Sequence, residues 1–126
     1  FLYFIVSSQP QGMSKHCLVV GIAGASGSGK TMLSTTLYDE LREAFNATDV
    51  AVICEDYYYK DQTNVAFEDR LKVNYDHPDS MDHTYLIKQL QQLKCGEAVK
   101  LPQYDYCSHT RSSKTLPLSA PKVIIL

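Results

Sequence analysis

The stretch Gly24-Ala-Ser-Gly-Ser-Gly29-Lys30-Thr31 constrains the chain more than any other, because it works in only one structural setting. It fits the pattern Gly, four residues, Gly-Lys-Ser/Thr, in which the backbone curls so that successive N–H groups point inward at an anion. The curl must leave a strand and enter a helix, whose positive dipole end completes the anion site. Both flanks comply. Cys17-Leu-Val-Val-Gly-Ile-Ala23 is a continuous apolar run of the kind that forms a strand covered on both faces. Met32, Leu33, Leu37, Leu41, Ala44 and Phe45 recur at spacings of three and four, which predicts an amphipathic helix stopping near Asn46. Val50-Ala-Val-Ile-Cys54 reads as a second short strand. Strand, helix and strand together predict a right-handed βαβ unit with parallel strands.

The residues Gly24, Ala25, Ser26, Gly27, Ser28, Gly29, Lys30 and Thr31 are therefore the expected phosphate-binding set. Lys30 would neutralise the β- and γ-phosphates of a nucleotide, and the Thr31 hydroxyl would ligate Mg²⁺. The dinucleotide pattern Gly-x-Gly-x-x-Gly fails, since Met32 stands where the third glycine after Gly27 and Gly29 belongs. The second strand runs into Cys54-Glu55-Asp56-Tyr57-Tyr58-Tyr59, at the sheet edge where ligands bind in open α/β folds. A carboxylate there, Asp56, could accept a proton from an attacking hydroxyl or hold Mg²⁺ through water.

Residues 55–78 are polar, rich in Tyr and Asp and aperiodic, so an irregular region is expected with a short helix around 67–71. Leu86, Ile87, Leu90 and Leu93 predict a further helix ended by Cys95-Gly96. Residues 98–101 and 115–118 read as two strands of a hairpin-like insertion, confined to edges by Pro102 and Pro117. Residues 122–126 would be the next sheet strand. The fold class is α/β, a phosphate-loop-type parallel sheet flanked by helices with a small hairpin-like insertion.

At 126 residues the chain has the size of one small domain. Twelve Lys and Arg face fourteen Asp and Glu, which removes the basic excess of a dedicated nucleic-acid binder. No apolar run approaches the roughly 20 residues of a membrane-spanning helix. Cys17, Cys54, Cys95 and Cys107 are far apart with no Cys-x-x-Cys pair, which predicts reduced thiols in a cytoplasmic protein. Phe1 to Val6 is apolar but has neither the charged start nor the cleavage pattern of a secretory signal. Met13 directly precedes the first coherent strand. Residues 1–12 are accordingly expected to be an upstream extension or non-native segment. Residues 13–126 are expected to be the N-terminal part of a single domain, truncated within a buried strand at Val123-Ile-Ile-Leu126.

Five blocks in order now carry a resemblance: Gly21 to Thr31, Glu55-Asp-Tyr-Tyr-Tyr59, Asn74-Tyr-Asp-His-Pro-Asp79, Leu101-Pro-Gln-Tyr-Asp-Tyr106 with Ser108-His-Thr-Arg111, and Val123 to Leu126. From about His16 onward the chain resembles the uridine/cytidine kinase family of phosphate-loop kinases, and the third and fourth blocks separate it from phosphoribulokinase and pantothenate kinase relatives. The resemblance implies transfer of the γ-phosphate of ATP or GTP, with Mg²⁺, to a nucleoside 5′-hydroxyl, giving UMP or CMP in pyrimidine salvage. It makes Asp56 the catalytic carboxylate beside Lys30. It also implies that Tyr59 and Tyr75 line the nucleoside pocket, that Asp76 holds the ribose hydroxyls, and that Tyr104 and His109 read the pyrimidine edge. Arg111 belongs to the same block. It further implies a small-molecule acceptor, no nucleic-acid or membrane partner, and a homo-oligomer, typically a tetramer. Tyr58, Tyr75 and Tyr106 stand where the family commonly has Phe. His77 is expected to be structural, His83 solvated near a helix start, and Tyr57 and Tyr58 to pack the loop. Beyond Leu126 the family continues with an acidic residue for Mg²⁺ and an arginine-bearing lid, so the 126 residues alone are expected to be catalytically impaired. The competing readings are a kinase of another small alcohol, phosphoribulokinase-like, and a nucleotide-binding module without turnover.

Overall fold

The apolar run at the end of the chain is the middle of the sheet. The computed structural model describes the backbone of Leu2–Ser7 and all of residues 17–126. In chain order the elements are β1 (Leu2–Ser7), β2 (Leu18–Gly24), α1 (Lys30–Ala44), β3 (Val50–Val52), α2 (Phe67–Arg70), α3 (His83–Lys94), β4 (Val99–Asp105), β5 (Thr110–Leu118) and β6 (Val123–Ile125). Single 3-10 turns lie at Glu55–Tyr58 and Pro78–Ser80. The main sheet has the order β1-β2-β6-β3. β6 pairs in parallel with β2 through Leu18 opposite Val123, and with β3 through Val50 opposite Val123. The expected strand–helix–strand unit thus has parallel strands, but they are not neighbours. β6 lies between them, and its position is fixed by bonds on both sides, Ile22 N–H to Leu126 O at 2.7 Å and Ile53 N–H to Ile125 O at 2.8 Å.

β1 lies antiparallel along the other edge of β2, with Leu2 opposite Gly24 and Ser7 opposite Val19. Part of the stretch expected to be an extension is therefore hydrogen-bonded to the sheet. Met13, the first residue after the expected extension, lies outside the described residues.

Alternation along β6 divides the core. Ile124 faces Cys17, Ile53, Tyr58, Leu86, Leu93, Val99 and Leu101. Val123 and Ile125 face the other way, with Val20 and Val50, against Leu37, Tyr38 and Leu41 of α1. Coverage on both faces is why these strands read as unbroken apolar runs. The stripe on α1 is narrower than the sequence suggests. Leu33, Leu37 and Leu41 are half-buried at i, i+4, i+8, whereas Met32 is 75% exposed and Phe45 has already left the helix. Met32 sits about 100° around the helix from Leu33, enough to take it off the face. Ile87 differs in the same way: it is exposed, while Leu86 and Leu93 are buried.

α3 begins at Asp82, whose carboxylate accepts from the Tyr85 N–H at 3.1 Å, and is followed by Gly96 at φ 85°. Its buried face carries a polar residue the apolar spacing does not announce. Gln89 Oε1 accepts from the Tyr58 hydroxyl at 2.8 Å, and its Nε2 donates to Tyr85 Oη at 3.0 Å and Lys100 O at 2.8 Å. The amide joins the turn after β3 to α3 and β4, and burial pushes the Tyr58 phenol pKa up. Gln89→Leu leaves the Tyr58 hydroxyl and the Lys100 carbonyl short of a partner inside the core. Chemical denaturation should show a loss of about 1–3 kcal/mol; an unchanged midpoint would mean water replaces the amide.

β4 and β5 form a two-stranded ribbon, from Val99 opposite Leu118 to Asp105 opposite Thr110, with an irregularity between Pro102 and Tyr104. Both strands are edges, so Pro102 and Pro117 remove no interior bond. The ribbon is longer than expected from its prolines. Its far end sets Tyr104 opposite Arg111, on one face of the pleat.

Candidate functional site

β2 and β3 are both parallel to β6, so the segments after them emerge at the same sheet edge. The first is the glycine loop. Gly27 and Gly29 have φ of 75° and 95°, and a Cβ at either would meet nothing within 4 Å. Glycine is needed there for its backbone conformation and not for space. Gly29 is the residue before α1, so the first helical N–H groups, which have no intrahelical partner, open onto the loop. Lys30 Nζ donates to Gly24 O at 2.6 Å and Ala25 O at 2.9 Å, folding the ammonium over the loop mouth. Ala25, Ser26, Ser28 and Thr31 are exposed beside it.

The second segment is the turn Glu55–Tyr58, with Asp56 exposed. Tyr59 leaves the turn and bridges Met81, and Lys60 N–H donates to Ser80 O at 2.9 Å. That strap brings Tyr59 against residues from two other regions. Its ring centroid lies 5.4 Å from Tyr75 and 5.0 Å from Tyr104, and Tyr75 lies 5.9 Å from His109. Tyr106 packs on Tyr104 at 5.2 Å. Burial raises the Tyr59 phenol pKa, and the Asp56 and then Asp76 carboxylates raise it further. Tyr106 is raised by burial and then by Asp56. Both carboxylates therefore act on the rim of the aromatic cluster. Asp76 is exposed, its N–H donating to Asn74 Oδ1 at 3.1 Å.

Arg111 Nη2 donates to Tyr59 O at 2.9 Å and reaches Asp82 Oδ2 at 3.4 Å, with the guanidinium 5.2 Å over the Tyr85 ring. Two polar atoms here are buried with no partner, Tyr104 Oη and Arg111 Nε. Burial is the main reason the Tyr104 phenol pKa is driven up, and the neighbouring Tyr75 hydroxyl raises it further. Unsatisfied buried groups are rare in folded proteins, so each of these two calls for an explanation.

The sequence-derived residues thus fall into two groups, the loop 24–31 and the cluster of Tyr59, Tyr75, Tyr104, His109 and Arg111 rimmed by Asp56 and Asp76. Among the described residues no hydrogen bond joins the groups. His77, expected to be structural, caps the Pro78–Ser80 turn, its Nδ1 accepting from Asp79 N–H at 3.1 Å. His83, half-exposed, is paired through Nε2 to Glu55 Oε1 at 3.0 Å, next to Asp56. Residues without a motif support the cluster. Asp61 Oδ1 accepts from Thr63 N–H, Thr63 Oγ1 and Thr110 Oγ1, bonds that hold its carboxyl below the usual range. Arg70 reaches from α2 to the hairpin turn, where His109 has φ 51°. A non-glycine residue in that region is held against a cost of roughly 1–2 kcal/mol. No spacing or composition signal pointed to Asp61, Arg70 or Thr110.

A phosphate loop between a parallel strand and a helix, with a carboxylate-bearing turn at the same edge, places the chain among phosphate-loop nucleotide-binding α/β proteins. The model of the Phosphoribulokinase / Uridine kinase family matches residues 19–126, and the chain belongs to that family. It is 53% identical over 113 residues to the uridine kinase of Pectobacterium atrosepticum, covering 90% of this chain and 53% of that protein. To the uridine kinase of Proteus mirabilis it is 54% identical over 111 residues, covering 88% of this chain and 52% of the relative. The chain therefore spans about half the length of the curated relatives it matches. Among solved structures it is similar to "a Possible Uridine Kinase from Bacillus stearothermophilus", with a TM-score of 0.62, 30% identity, and coverage of 90% of this chain and 61% of that one. Among the described residues no helix is long and apolar enough to cross a membrane.

Proposed function

We propose that the protein carrying this sequence is a nucleoside kinase that transfers the γ-phosphate of ATP or GTP to the 5′-hydroxyl of uridine or cytidine, yielding UMP or CMP in pyrimidine salvage. The observation that carries the reading is the pair of unpartnered buried groups, Tyr104 Oη and Arg111 Nε, at an aromatic cluster. A pyrimidine nucleoside suits such a place, with a flat face for Tyr59 and Tyr75 and a polar edge for the Tyr104 hydroxyl and the His109 imidazole. The ribose diol offers two donors, which a carboxylate such as Asp76 can accept together. A phosphorylated sugar, the acceptor of the competing kinase reading, gives the rings nothing to stack on. The relatives named above are called uridine kinases, which supports the same choice.

Asp56 takes the proton of the 5′-hydroxyl as its oxygen forms the bond to the γ-phosphorus and the bond to the β-phosphate oxygen breaks, releasing the nucleoside diphosphate. The loop amides and Lys30 hold the negative charge of the phosphates. The Thr31 hydroxyl and the Asp56 carboxylate are hard oxygen donors that fit Mg²⁺. In this reading the cation arrives on the nucleotide phosphates and takes only a few oxygen ligands from the protein. When bound, Mg²⁺ would neutralise charge on the β- and γ-phosphates. The same reading places the protein in the cytoplasm, where Cys17, Cys54, Cys95 and Cys107 would stay reduced.

The test is UMP formation from uridine, ATP and Mg²⁺ by the full-length protein, read by mass spectrometry, with ribulose 5-phosphate and pantothenate as rival acceptors. Phosphorylation of a rival in preference to uridine would overturn the reading. Tyr104→Phe separates binding from folding. It removes a buried hydroxyl that has no partner, so stability should hold or rise by about 1 kcal/mol, while the uridine KM rises about tenfold. A destabilised variant with unchanged KM would make Tyr104 a packing residue.

A further inference from the structure

We propose that Arg70 is a positioning residue that holds His109 in its left-handed conformation and so sets the group that reads the acceptor; its effect on catalysis rests on the nucleoside-kinase reading, its effect on His109 does not. Arg70 Nε donates to Val65 O at 2.8 Å, Nη1 to Ser108 O at 2.9 Å and Nη2 to Thr63 O at 3.2 Å. Only a planar guanidinium with donors fanned along its edge spans carbonyls from two separate segments in this way. The carbonyl of Arg70 also accepts from the Tyr75 hydroxyl at 3.1 Å, and that hydroxyl accepts from Gln62 Nε2 at 2.9 Å. One residue thus grips the hairpin turn with its side chain and a cluster ring with its backbone.

The other side of His109 is fastened to the same loop. Thr110, 9% exposed, donates from Oγ1 to Asp61 Oδ1 at 3.1 Å and accepts from Gln62 N–H at 2.8 Å. Both chain neighbours of His109, Ser108 and Thr110, are therefore anchored to the stretch 61–70. His109 sits between them at φ 51°, its ring 5.9 Å from Tyr75 and 6.1 Å from Phe67. An L-residue stays in that region only while its surroundings over-determine it. Releasing the Ser108 carbonyl lets φ return to negative values, and a change of backbone region swings the imidazole away from Tyr75.

The experiment uses the full-length protein and four variants: Arg70→Ala, Arg70→Lys, His109→Ala and the Arg70→Ala/His109→Ala double. Arg70→Ala should raise the uridine KM about tenfold while kcat and the nucleotide KM stay within about twofold. Because Arg70 acts through His109, the double variant should be no worse than His109→Ala alone. Ring NMR signals give a readout that needs no substrate. In Arg70→Ala the His109 ring resonance should move to the position of free histidine while those of His77 and His83 stay put. Arg70→Lys, a point charge in place of the fork, should shift it the same way by less, and serves if the alanine variant does not fold. Multiplying losses in the double variant, or an unmoved His109 signal, would overturn the proposal. A wild type that does not phosphorylate uridine sinks the nucleoside-kinase reading, and the ring signal still decides the role of Arg70.

Discussion

Asp56→Asn in the full-length protein should lower kcat for uridine phosphorylation by roughly 10³-fold, within the range expected when a general base is removed. Asn has the shape of Asp and keeps an acceptor oxygen, but it cannot take up the proton that the proposed reaction removes from the 5′-hydroxyl. The residue is exposed on a turn, so the change should leave the unfolding midpoint within about 0.5 kcal/mol of wild type. The uridine KM should move little, because the proposed reading puts stacking and edge recognition in the aromatic cluster and not on Asp56. An internal control comes with the variant. The Asp56 charge helps keep the Tyr59 and Tyr106 phenols above their ordinary pKa. Neutralising it should shift their spectrophotometric titration towards lower pH, even in protein with no turnover. Wild-type kcat in Asp56→Asn would remove the base from this turn. A phenol titration unshifted from wild type, with activity lost, would mean that the turn has rearranged.

How much of this could be read from the sequence depends on how local each cause is. The loop 24–31 was legible because its constrained positions have tasks within the loop itself: Gly27 and Gly29 for a positive φ, a lysine for charge, a threonine at the helix start. The run 123–126 was legible as a buried strand but not as the strand between β2 and β3. Apolar runs of similar length carry no label for spatial order, which long-range pairing decides. Met32 and Ile87 went to the wrong face because a spacing of three or four tolerates neighbours that lie 100° apart on the real cylinder. Gln89 gave no warning, since a buried amide is recognisable only from the three partners that satisfy it. In the cluster, Tyr59, Tyr75, Tyr104 and His109 came from the family resemblance, and the structure brings them together from three regions of the chain. The stretch 61–70 that steadies His109 has no such pattern. Asp61 and Arg70 read as solvated charges until their bonds to Thr110 and to the Ser108 carbonyl are seen.

Lys30→Met should be nearly as damaging as the loss of Asp56, by a different route. In this structure the ammonium is bonded to the Gly24 and Ala25 carbonyls, which hold it at the loop mouth. Binding an anion exchanges carbonyl contacts for charge-assisted ones, and charge on the transferring phosphoryl group grows most demanding in the transition state. Methionine keeps the length of the side chain and removes only the charge. We expect kcat/KM for the nucleotide to fall about 10²–10³-fold, the loss typical of one transition-state donor. The two freed carbonyls belong to exposed or half-exposed residues and can bond water, so folding should change by less than about 0.5 kcal/mol. Lys30→Arg discriminates further. A planar fork on a longer stem cannot occupy the point between two loop carbonyls as an ammonium does, so it should restore nucleotide affinity better than it restores kcat. Stopped-flow nucleotide binding beside steady-state turnover measures both. Full turnover in Lys30→Arg would show that positive charge near the loop is enough, and that the position fixed by Gly24 and Ala25 does not matter.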